Sequence, residues 1–107
     1  MTHKAGETRD AATRGVHRKL AREMARREKV NGQLKAAAVL WIATQRDTQE
    51  ARGQFLQWQS AEAKRHLMRM STREHAAHWK VLHLMAAQQE IERNIRALSV
   101  ECGRRGL

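Results

Sequence analysis

Small and apolar residues recur through the middle of the chain at Leu34, Ala37, Trp41, Thr44, Thr48, Ala51, Phe55 and Trp58, in alternating steps of three and four. That spacing marks one stripe along an α-helix, the a and d seam of a heptad repeat. The stripe holds two of the three Trp residues and the sole Phe. It therefore predicts an edge buried against another helix. The phase extends back to Leu20. From Gln33 to Met70 the pattern predicts one amphipathic helix, about 57 Å long at ~1.5 Å per residue.

The pattern divides the rest of the chain. Residues 1–9 lack periodicity and read as a flexible N-terminal arm. Asp10 can cap a basic helix over 10–32, because its carboxylate can accept from the free backbone donors of a first turn. Val16, Leu20, Met24 and Val30 give that helix a less regular apolar edge. Asn31-Gly32 is open to three readings: a turn with Gly in the left-handed cap position, a kink, or no break. Gly53 interrupts the strongest part of the seam at a cost of about 1 kcal/mol relative to Ala, which suggests a close approach of another backbone. Ser71-Thr72-Arg73-Glu74 has the form of a capping box and predicts a second amphipathic helix over 71–102. On that helix Trp79, Leu82 and Met85 share one edge, and Leu84, Ile91, Ile95 and Leu98 share another. Val81 to Ala87 is apolar nearly all round, which suggests burial on two sides. Residues 103–107 form a tail whose glycines end the helix. The residues expected to carry helix packing are Leu34, Trp41, Phe55, Trp58, Trp79, Leu82, Ile91, Ile95 and Leu98.

Composition supports the helical reading. There is no Pro, and good helix formers dominate. β-branched residues are few and never run together. The fold class expected is all-α, with long helices in an extended or hairpin, coiled-coil-like arrangement. Much of the apolar content is Ala, which buries little area at about 25 cal/mol per Å². So thin a core suits a helical hairpin, or a helix that borrows a partner's surface.

Charge changes the picture most. The formal net charge is +10, with Arg outnumbering Lys by 15 to 6. Arg makes bidentate contacts with carboxylate and phosphate more readily than Lys does. Such a chain is expected to seek an acidic surface: nucleic acid, an anionic membrane or an acidic protein polymer. Arg14, Arg18, Arg22 and Arg26 form a ladder four residues apart. Like charges at that spacing weaken a free helix by a few tenths of a kcal/mol per pair. An anionic partner that neutralises them is one explanation, and a solvated basic segment is the other.

Motifs of chemistry are missing. There is no Gly-rich phosphate loop, nucleophile elbow or Cys–His signature. Glu90 and Glu92 stand two apart and do not face each other on a helix. His66, His75, His78 and His83 cluster late in the chain, but without a recognised ligand pattern. The single Cys102 excludes an internal disulfide and suggests a reducing, intracellular setting. No stretch approaches the ~20 apolar residues of a membrane span. The expectation is a protein with no cofactor, no metal and no enzymatic activity. The Trp residues lie after the Arg ladder rather than among it, unlike the interleaved platform of a single-strand binder.

The last third, Arg73 to Leu107, resembles the ends of small basic helical proteins that line the inside of ciliary doublet microtubules. Those combine an amphipathic Ala/Leu/Arg helix, a Glu, a Leu eight residues on, and a closing Gly-Leu. Glu90, Leu98 and Gly106-Leu107 match here. Ala97-Leu98 departs from a Glu-Leu pair, and the first glycine is displaced. The resemblance implies a structural role on tubulin, whose surface is acidic, and a place in the cytoskeleton or cilium. The expected function is thus a scaffold on an acidic assembly, preferably the microtubule lattice. The alternatives are a ribonucleoprotein component, or a coiled-coil adaptor bound to other helical proteins.

Overall fold

In the computed structural model the chain forms two α-helices, α1 (Thr2–Trp58) and α2 (Ala61–Arg104). The structure describes the backbone of residues 2–106 and the side chains of residues 11–106. Among the described residues only Gln59, Ser60, Arg105 and Gly106 lie outside a helix, and there is no strand. The fold is an all-α helical hairpin. It divides into two units, one of Met1–Asn31 with Ala87–Leu107, the other of Gly32–Ala86.

The second unit contains the turn. Gln59 takes a left-handed φ of 48°. Its N–H donates to the Phe55 carbonyl at 2.8 Å, the single bond that closes a helix with an αL cap. Ser60 then starts α2. Its Oγ accepts from the Ala63 N–H at 3.0 Å, and its carbonyl accepts from the Lys64 N–H at 3.0 Å. This is N-capping by a hydroxyl, and Glu62 in the first turn adds a favourable charge for the helix dipole. Two residues therefore suffice to reverse the chain. Along α1 of this unit the positions turned away from water include Leu34, Ala37, Trp41, Thr44, Thr48, Ala51 and Phe55. Along α2 they include Ala63, Leu67, Met70, Glu74, Ala77, Val81 and Leu84. Both sets step by three and four, so the helices meet along heptad seams. Trp41 stacks on His78 across the seam, with ring centroids 4.5 Å apart. The buried hydroxyls of Thr44 and Thr48 donate to the Trp41 and Thr44 carbonyls at 2.7 and 2.9 Å. Buried donors are thus satisfied inside the helix itself.

In the first unit the early part of α1 packs against the late part of α2. Ile91 is completely buried, and Val16, Val30 and Cys102 are buried as well. Polar pairs bridge the helices: Gln88 Nε2 donates to Asn31 Oδ1 at 2.9 Å, and Arg27 and Glu92 pair at 3.6 Å. Asn94 Nδ2 donates to Glu23 Oε2 at 3.4 Å. Moving from Asn31 back to Arg27 advances the partner from Gln88 to Glu92, which is the antiparallel sense.

Several boundaries differ from the sequence-based expectation. The arm expected over 1–9 is helical from Thr2 onward, and Met1 lies outside the described residues. The stretch contains no Pro, so it lacks the residue that most strongly stops a helix. α1 passes through Asn31-Gly32 without a break. The break falls at Gln59-Ser60 rather than at Ser71, which lies inside α2. The α2 seam runs on through Met70, Glu74 and Ala77, so a turn at Ser71 would sever it. Near it, Thr72 Oγ1 bonds back to the Met68 carbonyl at 2.9 Å, as hydroxyls do in helix interiors. The tail is shorter than 103–107, since α2 reaches Arg104 and ends with Gly106 at φ 70°. Gly53 has no atom within 4 Å of where a Cβ would stand, so no other backbone approaches it.

Candidate binding surfaces

Arg14, Arg18, Arg22 and Arg26 all face solvent on α1 of the first unit. A helix advances about 40° beyond a full turn every four residues. The four guanidinium groups therefore sweep from the face opposite the seam at Arg14 and Arg18 round to its flank at Arg26, rather than stacking in one line. Among the described residues, the one ion pair the ladder makes is Arg26 with Glu23, at 3.8 Å. At that distance and exposure it is worth about 0–1 kcal/mol. The charge of the ladder is thus left for water or a partner to solvate.

The residues expected to pack divide into two groups. Leu34, Trp41, Phe55, Ile95 and Leu98 are half-buried on the seams, and Ile91 is fully buried. Trp58, Trp79 and Leu82 lie off the seam and face water, with Trp58 69% and Trp79 63% exposed. The physical reason is the register. With the turn at Gln59-Ser60, Trp58 is the last helical residue before it and meets no facing turn. On α2 the seam takes Ala77, Val81 and Leu84, which leaves Trp79 and Leu82 on the outside.

Trp79 instead forms one wall of a groove of about 730 Å³ in the second unit. Ala36, Ala37 and Ala76 lie along it, Leu40 stands opposite, and Gln33, Lys80, His83 and Leu84 complete it. His83 leans on Trp79 with centroids 5.9 Å apart. Sequence reading did not single out this groove. Its signal is the unbroken apolar run Ala36 to Ala43, which is wider than one stripe needs.

Near the turn, Trp58, His66 and Arg69 line a smaller groove of about 320 Å³ with Gln54, Ser60, Glu62 and Ala63. Among the described residues no three of His, Cys, Asp and Glu gather as a metal would require. His78 lies on Trp41 and His83 on Trp79. Cys102 is a buried free thiol. Among the described residues no helix is long and apolar enough to cross a membrane. Compared with protein families, characterised proteins and solved structures, the chain matches none.

Proposed function

We propose that this chain is a non-enzymatic structural protein that docks on an acidic macromolecular assembly through the Arg ladder of its first unit. The observation that carries the reading is the ladder itself. Four guanidinium groups stand exposed along α1, and their one ion pair among the described residues is a weak contact at 3.8 Å. Concentrated like charge destabilises a free helix. Partner carboxylates or phosphates would relieve that cost through bidentate contacts. The preferred partner is the microtubule lattice, which the C-terminal resemblance implies, and its place would then be the cytoskeleton or cilium. Structured RNA is the competing acidic polymer.

Co-sedimentation with polymerised tubulin and with structured RNA, each over a salt series, tests the proposal. The expected result is pelleting with tubulin polymer at low salt. Replacing Arg14, Arg18, Arg22 and Arg26 by Gln should weaken it about tenfold or more. Replacing Lys64, Arg65, Arg69 and Arg73 of the second unit by Gln removes the same formal charge and should matter far less. No pelleting with polymer at low salt sinks the microtubule assignment. Tight RNA binding with a steep salt slope instead moves the protein to a ribonucleoprotein. Equal losses in the two Gln variants would remove the ladder as the docking site.

A further inference from the structure

The groove of the second unit points to a different partner from the ladder's. We infer that it binds an amphipathic helix of another protein, one whose apolar stripe is flanked by carboxylates. The geometry limits the mode. Both walls are helices, whose backbone donors and acceptors are already paired, so no strand can add to them. Ala36, Ala37 and Ala76 are small and let an incoming helix approach closely between Leu40 and Trp79. Leu40 is 49% and Trp79 63% exposed, although each is a side chain of the kind that proteins bury. Gln33 to Leu40 spans two turns of α1, so the groove accommodates about two turns of a partner with anchors at i, i+3 or i+4, and i+7.

The polar lining selects the charge. It holds Lys80 and His83, and it contains no carboxylate. On the same face of α1, Asp47 lies two turns beyond Leu40. A partner with Glu or Asp beside its apolar stripe meets Lys80 with the opposite sign. A second copy of this chain does not. An isologous dimer through this groove sets the same patch against itself, and a lining with no acid offers no counter-charge. Nucleic acid is disfavoured as well. The lining contains no Arg, and one Lys beside one indole is a poor phosphate track.

The test uses the full chain and two synthetic helical peptides of three heptads. They share one Leu seam, with Glu flanking it in one and Lys in the other. Fluorescence anisotropy of labelled peptide should show the Glu peptide binding about tenfold or more tightly. Leu40→Glu should weaken that binding about tenfold. Val39→Glu makes the same charge change at a residue 67% exposed and outside the groove, and should leave it within about twofold. Lys80→Glu, at an exposed position that leaves the packing untouched, should invert the preference even if Leu40→Glu perturbs the fold. Indiscriminate binding of the two peptides, or equal effects of Leu40→Glu and Val39→Glu, overturns the inference. So does sedimentation equilibrium showing a dimer that Leu40→Glu converts to monomer, because the occupant is then a second copy. The contrast of Leu40→Glu with Val39→Glu and the Lys80→Glu inversion do not involve the Arg ladder, so either proposal can fail alone.

Discussion

At the scale of single residues, the least comfortable position is Gln59. A side chain at φ 48° occupies the left-handed region that glycine enters freely. Gln59→Gly removes that strain while the N–H to the Phe55 carbonyl stays in place. Glycine also enlarges the unfolded ensemble, which offsets part of the gain. A net stabilisation of about 0.5–1 kcal/mol is expected, read as a rise in the thermal midpoint by circular dichroism. An unchanged or lower midpoint would mean that the turn is held by something other than this cap. The opposite extreme is Ile91, which has no exposed surface. Ile91→Ala loses apolar burial and leaves a cavity, but two helices can close part of that gap. The expected cost is about 2–3 kcal/mol, toward the low end for a buried Ile. Urea unfolding measures it as a lower midpoint at unchanged slope. Leu56→Ala, at 67% exposure, serves as the contrast and should change stability by no more than about 0.5 kcal/mol.

At the scale of the helices, α1 carries glycines in its interior that no turn and no close contact explains. A Cβ at Gly32 or Gly53 would meet nothing within 4 Å. Each costs about 0.5–1 kcal/mol relative to Ala. The two lie far apart on the helix, so their effects should add. Gly32→Ala with Gly53→Ala is expected to stabilise the chain by about 1–2 kcal/mol in the same urea titration. A loss of stability would show that another group of the folded chain closes on one of them. These glycines also explain why the helices were legible in the sequence while their boundary was not. The three-four stripe from Leu34 to Phe55 needs only periodicity, and periodicity survives a glycine. Boundaries are read from punctuation, and here the punctuation misleads. Gly32, Gly53 and Ser71 lie inside helices, whereas the reversal uses Gln59 and Ser60, a left-handed Gln and a capping box without its acid. Once the turn is misplaced the pairing is lost. Trp79 then reads as a seam residue, and the Asn31–Gln88 and Trp41–His78 pairs cannot be foreseen. The exposure of the Arg ladder needed no pairing to foresee, since long charged side chains off the apolar edge stay in water.

At the scale of the whole molecule, net charge sets the terms of stability. The first unit carries thirteen Lys and Arg against seven Asp and Glu, and the second carries eight against four. Both are basic, so self-repulsion belongs to the whole chain and not to the ladder alone. Ion pairs offset little of it. Arg26–Glu23, Arg27–Glu92 and Arg105–Glu101 are partly exposed and individually weak. Raising salt from about 0.01 to 0.1 M shortens the screening length from about 30 to about 10 Å. That change weakens repulsion across the chain more than it weakens contacts at 3 to 4 Å. Folding should therefore become more stable with added salt. Two probes locate the effect. Far-ultraviolet circular dichroism reports helix in both units, whereas Trp41, Trp58 and Trp79 all belong to the second. If repulsion is general, the thermal midpoints from dichroism and from Trp fluorescence rise together. A rise in dichroism alone would confine the strain to the first unit and its ladder. A fall in both would mean that attraction between charges outweighs repulsion, and would remove the physical motive for an acidic partner.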